Sequence, residues 1–110
     1  MTRSMVSLLE SSRSPEFLAA IADAGAAADR AAHLAAETGL WTKQVPAALD
    51  DAGDAARAAM RARLAAEQAQ NAMTVTGAWS LARLAWAAET SVEEASARVN
   101  SAVAERLLTP

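Results

Sequence analysis

Alanine is the residue that most limits what this chain can fold into, because 32 of the 110 residues are alanine. Alanine is the strongest helix former, and its burial removes little surface from water. Only 26 residues carry the larger apolar side chains of Leu, Val, Ile, Met, Phe or Trp. No stretch alternates apolar and polar residues as a half-buried strand does. The sequence therefore predicts an all-α, Ala-rich antiparallel bundle of three to four helices in one domain, residues 1–110.

The first helix is predicted over about 15–38. Ser14 is a good N-cap, Pro15 suits the first helical position, and Gly39 is placed to be a left-handed stop. The second helix is predicted over about 46–72, beginning at Pro46. Residues 1–13 are expected to form an N-terminal arm or a short helix over 4–12.

The second half of the chain contains two predicted interruptions. The stretch "MTVTG", residues 73–77, combines β-branched residues with a glycine, so 46–72 and 77–89 are either two helices or one kinked helix. Thr90 and Ser91 are then expected to restart the chain, because Ser91 and Glu94 have capping-box spacing. This gives a last helix over about 91–108.

Apolar seams are expected where the first two helices meet. A stripe that ends in Gly and Ala would let the partner helix approach to about 8 Å. On the first helix the predicted seam comprises Phe17, Leu18, Ile21, Gly25, Ala28 and Ala32. On the second helix it comprises Leu49, Ala52, Ala56, Ala59 and Met60.

Two tryptophans mark the candidate site, in "TVTGAWSLARLAWAAE", residues 74–89. At 100° per residue, Val75, Trp79, Ala82 and Trp86 share one stripe, whereas Leu81, Leu84 and Ala88 share another. Arg83 is spaced to lie over an indole ring. Since a helix that is apolar on two sides is buried on two sides, we expect the tryptophan stripe to be an interface. The alternative is that both stripes fill one core.

Candidate chemistry is sparse. The single histidine, His33, lies between Asp29 and Glu37 at spacings of four, which suits a solvated row better than a metal edge, since di-iron bundles need two Glu-x-x-His motifs. No cysteine, nucleophile motif or glycine-rich phosphate loop is present. No catalytic residue, metal ligand or cofactor is therefore predicted.

The sequence favours a non-enzymatic assembly protein that associates with itself or with another protein. One alternative is a DNA-binding regulator, because residues 79–105 have a helix-turn-helix-like pattern with Arg98 and Asn100 as readers. Glu93 and Glu94 would repel phosphates there, so nucleic acid is a disfavoured partner.

The other alternative is an amphipathic coat on an apolar or lipid surface, using residues 72–88. No transmembrane span is predicted, because Arg83 lies at the centre of that short stretch. Without cysteine or a signal-peptide pattern, a cytoplasmic location is expected. The Ala, Arg and Glu usage favours a bacterial origin, and the alanine seams favour coiled-coil-like packing.

Overall fold

The computed structural model describes residues 14–108 and shows three helices packed against one another. Helix α1 is Pro15–Gly39, α2 is Leu49–Gln70 and α3 is Val75–Leu108. Two short 3-10 segments, Leu40–Lys43 and Pro46–Ala48, join α1 to α2. The predicted all-α bundle is confirmed. The predicted arm or short helix within residues 1–13 lies outside the described residues.

Both ends of α1 lie where the sequence predicts them, but only the first has the predicted conformation. Ser14 caps the helix, because the Phe17 amide donates to its Oγ at 3.1 Å, and Pro15 occupies the first turn. Gly39 is not a left-handed stop, since its φ is −63° and its ψ is −25°. The chain leaves α1 by tightening into the 3-10 turn that follows, so no left-handed residue is needed. The Thr42 hydroxyl supports that turn by donating to the Gly39 carbonyl at 2.8 Å.

Helices α2 and α3 are separate, so the alternative of one kinked helix is wrong. The turn occupies residues 71–74, and the Asn71 side chain donates to the Glu67 carbonyl at 3.2 Å to close α2. Thr74 then caps α3, because its Oγ1 accepts from the Gly77 amide at 2.9 Å. This cap explains why α3 begins at Val75, earlier than the predicted residue 77.

Helix α3 runs without interruption through the predicted restart at residues 90–91. The Thr90 and Ser91 hydroxyls donate to the carbonyls of Trp86 and Ala87, each four residues earlier, instead of capping a new helix. The buried stripe also continues across this point, through Ala88, Val92 and Ala95. The regions predicted as separate helices, 77–89 and 91–108, therefore form a single helix.

The three helices run up, down and up. Phe17 near the start of α1 shares a cluster with Ala78 near the start of α3. Arg30 and Glu89 pair midway along the same two helices. Val45 and Ala48, just before α2, pack against Val99 and Val103 near the end of α3. Helices α1 and α3 are therefore parallel, and α2 is antiparallel to both.

The core is built almost entirely from methyl groups. Of the 24 buried apolar residues in the described part of the chain, 19 are alanine. The other five are Phe17, Val45, Val92, Val99 and Val103. Such small side chains let the helices lie near the lower limit of ordinary helix separation. Many of the larger apolar side chains consequently remain outside.

The predicted seams are only partly buried: Phe17, Ala28, Ala52 and Ala59 are buried, but other members lie outside the core. Leu18, Leu49 and Met60 keep 52%, 63% and 63% of their surface exposed, and Ala32 and Ala56 are also exposed. In a three-helix bundle each helix faces two neighbours, so its buried face is centred between them. The faces that meet this condition are the purely alanine ones. They comprise Ala20, Ala24, Ala27 and Ala31 on α1, and Ala55, Ala58, Ala62 and Ala69 on α2.

Candidate interaction surface

The predicted interface residues lie along the first three turns of α3, and the two indoles touch. The ring centroids of Trp79 and Trp86 are 6.0 Å apart and the rings are tilted by 58°. Aromatic pairs prefer such tilted arrangements at separations of 4.5–7 Å, which contribute beyond the area that they bury. The spacing of seven residues therefore brings the tryptophans together, as the common stripe implies.

The five residues differ in how far the bundle covers them. Trp79 and Val75 are half-buried and pack against the cluster of Phe17 and Ala20 on α1. Ala82 is fully buried in the alanine core, where it is out of reach of any partner. Trp86 retains 38% of its surface. The stripe thus passes from core at its inner edge to surface at its outer edge.

Arg83 is exposed beside this pair, and the structure shows no ion pair for it among residues 14–108. The aromatic contact at the site is between the two indole rings. Arg83 remains available to a partner as a cation at the edge of an aromatic pair. We call Val75, Trp79, Arg83 and Trp86 the tryptophan surface.

The second apolar stripe of α3 is also divided. Leu81 and Ala88 pack against the alanine core, whereas Leu84 keeps 59% of its surface exposed. Within this second stripe, Leu81 and Ala88 are therefore the residues that face the other helices. Both stripes of the helix contribute to the core, and both also reach the surface.

A charged clamp lies next to the tryptophan surface. The Arg30 guanidinium of α1 donates to both Glu89 carboxylate oxygens, with Nε–Oε2 at 2.7 Å and Nη2–Oε1 at 3.1 Å. These hydrogen bonds hold the pKa of Arg30 above its ordinary value. The pairing is side-on, which fixes the relative height of the two helices as well as the charge. Glu89 lies three residues after Trp86, so the clamp limits the tryptophan surface along the helix.

Arg98, one of the two side chains predicted to read DNA bases, forms a second pair of contacts between helices. Arg98 donates from Nε to Asp51 of α2 at 2.8 Å, and its Nη2 lies 3.6 Å from Asp54. The bond to Asp51 holds the pKa of Arg98 above its ordinary value. Glu93 and Glu94 are exposed on the same helix. Since α3 is continuous, residues 79–105 contain no helix-turn-helix corner, and the predicted corner is wrong.

His33 lies on the outer face of α1. Its Nε2 is 3.0 Å from Glu37 Oε1, and both side chains are mostly exposed. Within residues 14–108, no three His, Asp or Glu side chains are grouped to hold a metal ion. The contact is the solvated i,i+4 pair that the spacing of four predicts.

Sequence reasoning missed the outer stripe of α2. Leu64 is 56% exposed, and it follows the exposed Met60 by one helical turn. The available signal was the spacing of four between these two residues on a helix that already has a complete alanine stripe. A helix with a complete small-residue face does not need its larger apolar residues inside.

Comparison with protein-family models, with curated proteins and with solved structures finds no match. The class of protein is therefore defined by the fold alone, as an all-α three-helix bundle with an alanine core.

Proposed function

We propose that this chain is a non-enzymatic assembly protein that associates with a second copy of itself through the tryptophan surface. The observation that carries the proposal is the position of Trp86, which contacts Trp79 in a tilted arrangement yet stays 38% exposed. Tryptophan is enriched among the residues that dominate the binding energy of interfaces, together with tyrosine and arginine. Here an aromatic pair and an exposed arginine occupy one face.

The composition of the core supports association in general. A chain of this length buries a modest fraction of its surface when it folds, and alanine contributes little to that burial. The larger apolar side chains that could add stability lie at the surface, Leu18, Met60 and Leu64 among them. Contact between copies would bury them, and oligomerisation stabilises a folded chain by mass action.

Removing the Trp86 side chain is expected to weaken self-association. A tryptophan at an interface centre contributes about 2 kcal/mol or more, so Trp86→Ala should raise the dissociation constant by about 30-fold or more. Far-UV helicity should survive, because the Trp86 side chain lies at the edge of the core. Sedimentation velocity over a concentration series measures both the mass and the constant.

Leu84→Ala is the matched control, since Leu84 is exposed on the same helix but outside the tryptophan surface. The control should associate like the parent. Equal weakening by the two substitutions would mean that general surface hydrophobicity, and not the tryptophan surface, drives assembly.

A lipid vesicle is the other partner that an exposed aromatic face could meet. Within residues 14–108, the structure contains no helix with the length and apolar run required to cross a bilayer. The same variants in a vesicle flotation assay separate the two partners. The parent protein could sediment as a monomer and float with vesicles, and Trp86→Ala could abolish the flotation. That result would show that the protein is a peripheral membrane coat and does not self-associate.

A further inference from the structure

An open groove runs between α1 and α2, on a different side of the bundle from the tryptophan surface. Its volume is about 550 Å³. Ala28, Ala32 and Ala36 line it from α1, and Ala56 and Met60 line it from α2. A methyl group added at Gly25, on the neighbouring turn of α1, would meet no atom within 4 Å. The α1–α2 groove is therefore apolar, shallow and lined by small side chains.

A ridge of larger apolar side chains stands directly beside this groove. Met60 forms part of the groove wall, and Leu64 follows it one turn later on α2. Both keep more than half of their surface exposed. At 100° per residue they lie 40° apart on the helix, so they form one ridge. The same face of the molecule thus carries both the alanine-lined groove and a ridge of longer apolar side chains.

We infer that a second copy of this chain occupies the α1–α2 groove, with its Met60–Leu64 ridge seated among the alanines. A two-fold axis satisfies both copies at once, because an isologous interface uses the same patch on each subunit. In that pairing α2 of each copy lies between α1 and α2 of the other. Close approach of the helices is permitted because the groove walls are alanine.

The α1 helix and the second half of α2 differ in formal charge. Helix α1 carries four acidic residues and one arginine, a formal charge of −3 with His33 neutral. The four acidic residues are Glu16, Asp23, Asp29 and Glu37. Residues 57–67 of α2 carry three arginines and one glutamate, a formal charge of +2. Of the four acidic residues of α1, Asp29 is the one that lines the groove, so it is the carboxylate that a second copy would meet there.

Asp29 and Arg63 lie at the groove itself. Asp29 forms no ion pair among residues 14–108, and Arg63 pairs only with Glu67, one turn away on its own helix, at 3.3 Å. A carboxylate on one wall and a guanidinium on the other give a second copy complementary charges at the edge of an apolar contact. Charge at the rim fixes orientation and register more than it adds affinity.

This inference rests on the proposed self-association and adds a second surface to it. The tryptophan surface involves α3 and the α1 side that meets it, whereas the groove involves α1 and α2. A chain with two separate self-contacts assembles beyond a dimer. Loss of either contact leaves the other, so the two can be tested independently.

The test is the mass of the 110-residue chain and five variants, Trp86→Ala alone among them, by sedimentation equilibrium at high micromolar concentration. Ala32→Arg and Ala56→Arg each put a charge into the groove at an exposed position, one on each wall. Ala97→Arg is the matched control, an exposed alanine of α3 outside both surfaces. The parent and Ala97→Arg should sediment as species larger than a dimer. Each groove variant should stop at the dimer, and Ala32→Arg combined with Trp86→Ala should be monomeric.

Far-UV spectra identify a groove variant that has lost its fold, and the variant on the opposite wall then supplies the result. If both folded groove variants keep the parent mass, the inference is wrong while the tryptophan surface stands. If Trp86→Ala keeps the parent mass but the groove variants fall, the proposed tryptophan contact is wrong and the groove pairing stands. A parent that is monomeric overturns both.

Discussion

Replacing Glu93 with proline is expected to lower the free energy of unfolding by about 3 kcal/mol or more. Glu93 lies in the middle of α3, which extends from Val75 to Leu108. A proline there removes the amide that bonds to the carbonyl four residues earlier, and its ring collides with that carbonyl. Bundles of this size have a total stability of about 5–15 kcal/mol, so the loss is a large fraction. Urea unfolding followed by circular dichroism measures it.

Glu93→Ala is the control, because it removes the same charge without breaking the helix. The exposed alanine variant should unfold close to the parent. The experiment also separates the two descriptions of this region. If residue 91 began a new helix, Glu93 would lie in the first turn, where proline is tolerated. Equal unfolding midpoints for the proline and alanine variants would contradict the continuous helix.

Enlarging Ala62 to leucine is expected to cost about 1–3 kcal/mol of stability, with larger losses where the backbone cannot move. Ala62 is fully buried on α2, within the alanine core that all three helices share. Protein interiors are packed as densely as organic crystals, so three extra carbon atoms must push two helices apart. A thermal or urea melt at low micromolar concentration measures the loss without a contribution from assembly.

Ala56→Leu is the matched control on the same helix. Sequence reasoning places Ala56 in the seam between the first two helices, where leucine would separate them, but the structure places it at the exposed wall of the α1–α2 groove. The Ala56→Leu variant should therefore melt like the parent. If Ala56→Leu destabilises the protein as much as Ala62→Leu, the helices are rotated relative to the structure and Ala56 faces the core.

Local signals predicted the start of α1 and the class of fold well. Ser14 and Pro15 act within a single turn, so their effect does not depend on the rest of the molecule. The alanine content and the absence of strand periodicity sufficed to predict helices for most of the described residues. The break between α2 and α3 was also signalled locally, although the cap by Thr74 moved the start of α3 by two residues.

Signals that compete with packing were less informative. Ser91 and Glu94 have the spacing of a capping box, but Ala88 before it, Val92 within it and Val99 after it are all buried, and this burial is retained only if the helix continues. The same competition between local hydrophobicity and packing explains why the predicted seams differ from the buried faces. With alanine on several faces of a helix, hydrophobicity alone ranks Leu18 and Met60 as core, although close approach of three helices favours the faces that carry no large side chain.

The candidate site was partly predictable for the same reason. The spacing of seven residues predicts that Trp79 and Trp86 lie on one stripe, and the indoles do touch. The division of that stripe between a buried Ala82 and an exposed Trp86 depends on where α1 lies, which the sequence of α3 does not contain. The α1–α2 groove depends on two helices at once, so neither helix alone indicates it.

The mass of the parent protein in solution tests the central claim most directly, namely that a bundle with an alanine core uses its outer apolar side chains for self-association. Sedimentation equilibrium from low to high micromolar concentration gives that mass without a label or a substitution. We expect it to rise with concentration to a multiple of the 11.4 kDa chain mass. A mass that stays at 11.4 kDa over the whole range would contradict the claim.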